Sequence, residues 1–480
     1  EISACLVGSE MCIRDSDWLY SEEQFRAITA PLEPAVVIAG AGSGKTAVMA
    51  ARVVWLVATG RVLPGEVLGL TFTTKATAEL ATRIRESLQK AGLWPERREG
   101  PPRPGEEDDE PTEPTVSTYH SYASGLLSEH GLRIGHEPDT RLIADATRYQ
   151  LAARAVARHT RPVEKLTDYP KLAVQQLLAL DSELSEHLVD PATLRAYDRN
   201  ERSLFALEVA DLNAQLADGK RVKTKLTKVE KAIDAIDKRY ELLDLVDGYR
   251  RLKDRLGLMD FSDQIALAAR LAVETPEVGE IERGKFKVVL LDEYQDTSVA
   301  QAQMLARLFG DGHPVTAVGD PNQAIYGWRG ASVSNILEFG RDFPTKDGRR
   351  PAYSLTVNRR SDARILDTAN HLAAQLYEGR EKERLVAADG ARDGEVRVHV
   401  HETYDDELLW LADKVIEAHE AVGEWKEIGV LTRDNSQAAA VFDALTAREI
   451  PVEIVGLKGL LRLPEVAEVV ATMALLHDVT

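Results

Sequence analysis

Lys45 stands in the run Ala39-Gly40-Ala41-Gly42-Ser43-Gly44-Lys45-Thr46, which follows the apolar residues Val36-Val37-Ile38. A glycine-rich loop at the start of a helix can aim backbone N–H groups at phosphate oxygens. The ammonium of Lys45 then reaches the β- and γ-phosphates, and the Thr46 hydroxyl is suited to magnesium. A second segment supplies carboxylates. Val288-Val289-Leu290-Leu291 runs into Asp292-Glu293-Tyr294-Gln295-Asp296-Thr297. Asp292 ends a buried apolar run, as a magnesium-binding carboxylate should, and Glu293 beside it is placed to polarise an attacking water. A third segment, Val318 to Gly330, puts Gln323 close to Tyr326 and Trp328. Trp328, between Gly327 and Arg329, is hard to read as a core residue. The cofactors expected are ATP and Mg2+.

These segments need a scaffold that holds loops at strand ends. The apolar runs near 35–38, 67–72, 115–119, 287–291 and 315–318 are short, β-branched and bounded by Gly, Pro or polar residues. They read as buried parallel strands separated by helices, which is a doubly wound α/β domain. The helix after the phosphate loop is expected from Thr46 to about Thr59, stopping at Gly60. Residues 126–255 read as helical and interrupt the α/β pattern between its third and fourth strands, so they form an inserted subdomain. Further strands are expected at 353–357, 395–400, 428–432 and 452–455, in a second domain. The predicted boundaries are 17–125 and 256–344 for the first domain, 126–255 for the insert and 345–480 for the second domain.

Composition narrows the class. The chain has 480 residues, 44% hydrophobic and 29% charged, with a formal net charge of −19. That excludes a uniformly basic surface but not a local basic groove. Lys220, Arg221, Lys223, Lys225, Lys228 and Lys231 form the best basic patch, a solvated face or a contact for duplex backbone. Residues 95–114 read as an acidic surface loop. No apolar run approaches the length of a membrane helix. The only cysteines, Cys5 and Cys12, lie in the first 16 residues, which fits a reducing cytoplasm. Residues 1–16 are read as a non-native or disordered leader.

Taken in order, the motifs resemble the superfamily 1A DNA helicases of the UvrD/Rep/PcrA group. Besides the segments above, the resemblance rests on Thr71-Phe72-Thr73-Thr74-Lys75-Ala76, Thr118-Tyr119-His120-Ser121, Met259-Asp260-Phe261-Ser262-Asp263 and Asn358-Arg359-Arg360-Ser361. It implies a RecA-like nucleotide-binding domain, its helical insert and part of a second RecA-like domain. It also implies single-stranded DNA and single-strand/duplex junctions as partners, with 3′-to-5′ movement. By the same resemblance Gln24 looks like an adenine-reading glutamine, Gln323 a γ-phosphate sensor and Arg360 an arginine finger. Phe72, Tyr326 and Trp328 look like base-stacking aromatics, and Thr73, His120, Ser121 and Arg329 like further DNA contacts.

The sequence departs from the family pattern at Ala39, Ala47, Thr74 and Arg359. Arg359 stands where Tyr often stacks on adenine, which implies guanidinium stacking instead. The later motifs of the family's second domain are not visible before Thr480, so the chain reads as an N-terminal portion of such a protein. Three readings follow. One is an ATP-dependent helicase for repair or recombination. Another is the motor subunit of an actinobacterial Adn-type helicase–nuclease, with a partner subunit. The last is a nucleotide-gated DNA-binding fragment without turnover.

Overall fold

The computed structural model describes residues 20–94, 112–137, 139–454 and 464–477. The leader at 1–16, most of the 95–114 loop and residue 455 lie outside the described residues. The chain divides into two compact units, Glu1–Glu395 and Val396–Thr480.

The first unit is built on six parallel strands: β1 (Ala35–Ala39), β2 (Val67–Thr71), β3 (Thr115–Thr118), β6 (Val288–Leu291), β7 (Val315–Gly319) and β8 (Ala352–Leu355), in the order β3-β2-β6-β7-β1-β8. The strands are short apolar runs because both faces are covered. Val289 and Leu291 face one core with helices α4 (Tyr119–His130), α9 (Phe261–Glu274) and α11 (Val299–Phe309). Val288 and Leu290 alternate to the other face, against α2 (Lys45–Ala58) and α3 (Thr74–Lys90). Helix α1 (Glu22–Ile28) joins this second face through Ala27 and Ile28. It is fixed by Arg52, which is 1% exposed and donates to the carbonyls of Ala27, Ile28, Ala30 and Pro31 and to Thr316 Oγ1.

Ligands of open α/β sheets bind at the carboxyl ends of the strands. β1 leads into the phosphate loop, β6 into Asp292 and β7 into Asp320, and these strands are central neighbours. β2, on the far side of β6, leads into Phe72. The topology therefore gathers all four segments at one sheet edge.

Two expectations are corrected. The strand predicted at 353–357 for a second domain is mostly β8, which pairs with β1 in the first sheet (Val37 opposite Tyr353). Its apolar residues Tyr353 and Leu355 find their partners beside Val37 and Ala39. The first compact unit runs on to Glu395. The candidates at 395–400, 428–432 and 452–454 form no strand among the described residues. Alternation alone cannot hold them in a ladder: Val398 is 84% and Leu431 99% exposed. The second unit instead packs α13 (Tyr404–Val422) and α14 (Asn435–Thr446) around Ala412, Val415, Leu445 and Ile450.

The predicted insert is helical: α5 (Asp145–Ala157), α6 (Pro170–Glu186), α7 (Pro191–Ala217) and α8 (Lys223–Arg255). A short parallel ladder between β4 (Arg141–Leu142) and β5 (Leu258–Met259) closes its neck. Next to it, the Lys253 ammonium bonds Asp181 Oδ2 at 3.1 Å, Asp260 Oδ2 at 3.1 Å and Asp263 Oδ2 at 2.6 Å. Arg250 also binds Asp181, and Arg148 pairs with Asp260. Burying charge is costly unless every charge is paired. Here three carboxylates meet three cations, and the insert is tied to α9. The basic run 220–231 lies exposed at the tip of the α7–α8 hairpin, with Lys225 paired to Glu208 at 2.8 Å.

Candidate functional site

The phosphate loop has the geometry its sequence predicts. Gly42 and Gly44 take left-handed φ values of 70° and 86°. A Cβ on Gly44 would also stand 2.9 Å from Gln24 Nε2. The loop runs into α2, whose first N–H groups, from Lys45 and Thr46, have no acceptor within the helix and are left for an anion.

Gln24 is buried and spans the loop's base. Its Oε1 accepts from Ser21 N at 3.0 Å, and its Nε2 donates to Ser43 O at 2.9 Å. The second capping bond, Gln24 N to Ser21 Oγ, fixes α1 in place. One carboxamide N–H remains for a ligand.

The turn at 358–361 lies on the same loop. Asn358 Nδ2 donates to Ala41 O at 2.7 Å, and Arg359 N donates to Gly42 O at 2.9 Å. Asn358 Oδ1 also accepts from the N–H groups of Arg360 and Ser361. A Cβ on Gly42 would stand 2.8 Å from Arg360 Cβ. Arg360 and Arg359 are exposed, so their guanidinium groups are open to a ligand while their backbone is latched. The latch uses loop carbonyls and spares the N–H groups. Thr356 adds a second tie, donating from N and Oγ1 to the Glu23 carboxylate at 2.8 Å each.

Lys45 Nζ stands 3.5 Å from Glu293 Oε2. Asp292 is buried and accepts one bond, from Glu293 N at 3.0 Å. Burial, reinforced by the neighbouring Glu293, pushes its carboxyl up to about 6, against the pull of Lys45. A carboxylate so placed, with one oxygen free of hydrogen bonds and a threonine hydroxyl opening α2, has the donor chemistry for magnesium. Glu293 itself sits at φ 47°, ψ 43°. That left-handed backbone is sparsely populated for a side-chain-bearing residue, and such outliers gather at functional sites.

A relay leads away from Glu293. Gln295 Nε2 donates to Glu293 Oε2 at 2.8 Å and to Asp296 Oδ2 at 3.3 Å. Gln295 Oε1 accepts from Asp320 N at 3.0 Å. Asp320 Oδ2 in turn accepts from Gln323 Nε2 at 2.6 Å. Gly319 is required here, because a Cβ would run into Gln295 Oε1. Asp296 is also pushed up to about 6, by burial first and by Glu293 second, against bonds from the backbone of Ile325 and Tyr326. The carboxylates and the aromatic loop therefore share one hydrogen-bonded core.

That loop carries an aromatic row. The rings of Phe72 and Tyr326 lie 4.8 Å apart and those of Tyr326 and Trp328 6.2 Å apart. Trp328 is 69% exposed, with the Arg329 guanidinium 4.6 Å from its ring centre. Thr73 is exposed and caps α3 through Ala76 N at 3.1 Å. Thr118 caps α4, bonding Ser121 N at 3.1 Å and the Ser121 hydroxyl at 2.9 Å. His120 lies edge-on to Phe261, with 5.6 Å between ring centres. Burial, with Arg329 adding to it, holds His120 below its usual pKa, so it is neutral at pH 7.

All the predicted nucleotide residues (Gln24, Ala39 to Thr46, Asp292, Glu293, Gln323, Arg359 and Arg360) thus lie at one sheet edge. The predicted DNA residues form the adjoining surface. Sequence reasoning assigned no role to Gln295, Asp320 and Asn358, although all lie inside the quoted motifs; a buried amide next to paired carboxylates was the available signal. Leu385, which a Cβ on Gly40 would strike, had no signal.

Comparison with known proteins identifies the family. Residues 20–344 match the model of the UvrD/REP helicase N-terminal domain, and residues 353–478 match that of the UvrD-like helicase C-terminal domain. DNA helicase II of Haemophilus influenzae is 26% identical over 464 residues, covering 95% of this chain and 54% of the relative. DNA helicase II of Escherichia coli is 28% identical over 438 residues, with 91% and 51% covered. ATP-dependent DNA helicase PcrA of Staphylococcus aureus is 27% identical over 438 residues, with 90% and 50% covered. The chain spans about half the length of the curated relatives it matches. The phosphate loop, the paired carboxylates and the aromatic row all lie within residues 20–344, and the chain belongs to the UvrD/Rep helicase family.

Proposed function

We propose that this chain is the nucleotide-hydrolysing and strand-gripping part of an ATP-dependent DNA helicase. It moves 3′-to-5′ on single-stranded DNA toward single-strand/duplex junctions, in repair or recombination in the cytoplasm. The observation that supports this best is the relay from Glu293 through Gln295 and Asp320 to Gln323. It joins the hydrolytic carboxylate to the loop bearing Tyr326 and Trp328.

In this reading Gln24 selects adenine, and the loop from Ala39 to Thr46 with Lys45 binds the phosphates. Thr46 and Asp292 hold magnesium, which neutralises charge on the phosphates. Glu293 orients and deprotonates the attacking water, and Arg360 stabilises charge on the transferring phosphoryl group. Gln323 senses the γ-phosphate. Its movement is passed through Asp320 and Tyr326 to bases stacked on Phe72, Tyr326 and Trp328, aided by Thr73, His120, Ser121 and Arg329. Stacking on a π-face is indifferent to sequence, as a translocating protein requires.

Displacement from tailed duplexes tests the proposal. ATP-dependent release of the strand from a 3′-tailed duplex but not from a 5′-tailed one is expected. Release from the 5′ tail alone would overturn the polarity. ATP-gated binding to single strands without phosphate release would assign a nucleotide-gated DNA-binding module instead.

A further inference from the structure

Away from the nucleotide site, two groups of acidic and imidazole side chains place their donor atoms within 4.8 Å of one another: Asp181, Asp260 and Asp263, and Glu129, His130 and Glu282. The first already holds a cation, the Lys253 ammonium. The second does not. Among the described residues no Lys or Arg forms an ion pair with Glu129 or Glu282.

Glu282 is 2% exposed, on helix α10 (Pro276–Lys285). Its Oε2 accepts a 2.6 Å bond from the Tyr122 hydroxyl. His130, the last residue of α4, is 7% exposed, and its Nε2 has no hydrogen-bond partner. That nitrogen points toward Glu129, whose Oε1 is 3.7 Å away. A buried carboxylate and a buried imidazole nitrogen without a donor or acceptor are each costly. The carboxyl end of α4 adds negative potential, which favours a cation.

We propose that Glu129, His130 and Glu282 form a site for one divalent transition-metal ion of the manganese or zinc class. One imidazole and two carboxylates suit these ions, and the exposed Glu129 side leaves room for water ligands. Tyr122 orients Glu282 from outside the coordination sphere, as hydrogen-bonded partners of metal ligands do. The ion clamps α4, whose first turn carries His120 and Ser121, to α10, which feeds β6 and Asp292. It is a structural site, separate from the magnesium of hydrolysis.

Equilibrium dialysis against Mn2+ without nucleotide, in an Asp292→Asn background to silence the nucleotide site, tests this. Manganese avoids thiolate capture by Cys5 and Cys12. The expected result is one Mn2+ more per chain than in the same background with Glu282→Gln or with the exposed substitution Glu129→Gln. Tyr122→Phe should retain the site with affinity weakened about 10-fold. Binding should raise the melting temperature only where the site is intact. Equal Mn2+ content with and without Glu129→Gln and Glu282→Gln, or no bound Mn2+ at all, would overturn the proposal.

Discussion

Gln295 is the residue whose replacement should separate hydrolysis from its control by DNA. It is 1% exposed and divides one carboxamide between Glu293, Asp296 and the backbone of Asp320. Gln295→Met keeps the length of the side chain and removes all three bonds. The bond to Glu293 is charge-assisted and worth about 1.5–3 kcal/mol, and the Asp320 N–H left without a partner costs about 1–3 kcal/mol. If about 2 kcal/mol of this enters the barrier of the stimulated reaction, the rate falls roughly 30-fold. Phosphate release should be followed with and without single-stranded DNA, beside a measurement of ATP binding. The DNA-stimulated rate should fall about 30-fold, with a smaller loss in the basal rate and unchanged ATP affinity, because Gln295 touches neither Gln24 nor the phosphate loop. A variant that keeps the full stimulation ratio would refute the relay.

Asp292 makes a prediction about stability. Its folded pKa of about 6 lies above the ordinary value, so in the absence of metal the folded state favours the protonated form. Stability from this group is present at low pH and lost as pH rises between about 4 and 6. Asp292→Asn should therefore stabilise the metal-free protein at pH 7, by up to about 3 kcal/mol from roughly two pKa units, while abolishing hydrolysis. Thermal unfolding checks this; a lower melting temperature for the variant would contradict it. Trp328→Ala should weaken single-strand affinity by about 1–3 kcal/mol whatever the base sequence, leaving ATP binding intact, as measured by fluorescence titration. Lys253→Met leaves three carboxylates facing one another and should cost about 3–5 kcal/mol in urea unfolding, against no measurable loss if the cluster were merely surface charge.

Much of the nucleotide site was legible because its chemistry is local. A phosphate loop must combine glycines at positive φ with a helix start, and Gly42, Gly44 and Lys45 announce both within a few residues. The parallel strands were legible too, since Val288 to Leu291 is buried on both faces and reads as one apolar run. What stayed hidden was non-local. Nothing in Ala352–Leu355 says that its neighbour is β1, because a strand's partner is fixed by packing across the sheet and not by its own residues. The same holds for Arg52, an ordinary helix residue until five acceptors from distant segments surround it. The alternation at 395–400 misled for the converse reason. Period-two patterning states a preference, and without a ladder neighbour Val398 and Val400 remain exposed.

The most direct test of the central claim is phosphate release from this 480-residue chain, with and without single-stranded DNA, beside Glu293→Gln. The account predicts turnover stimulated by single strands and abolished by Glu293→Gln, with ATP and DNA binding retained in the variant. Turnover that ignores single-stranded DNA, or that survives Glu293→Gln, would contradict it.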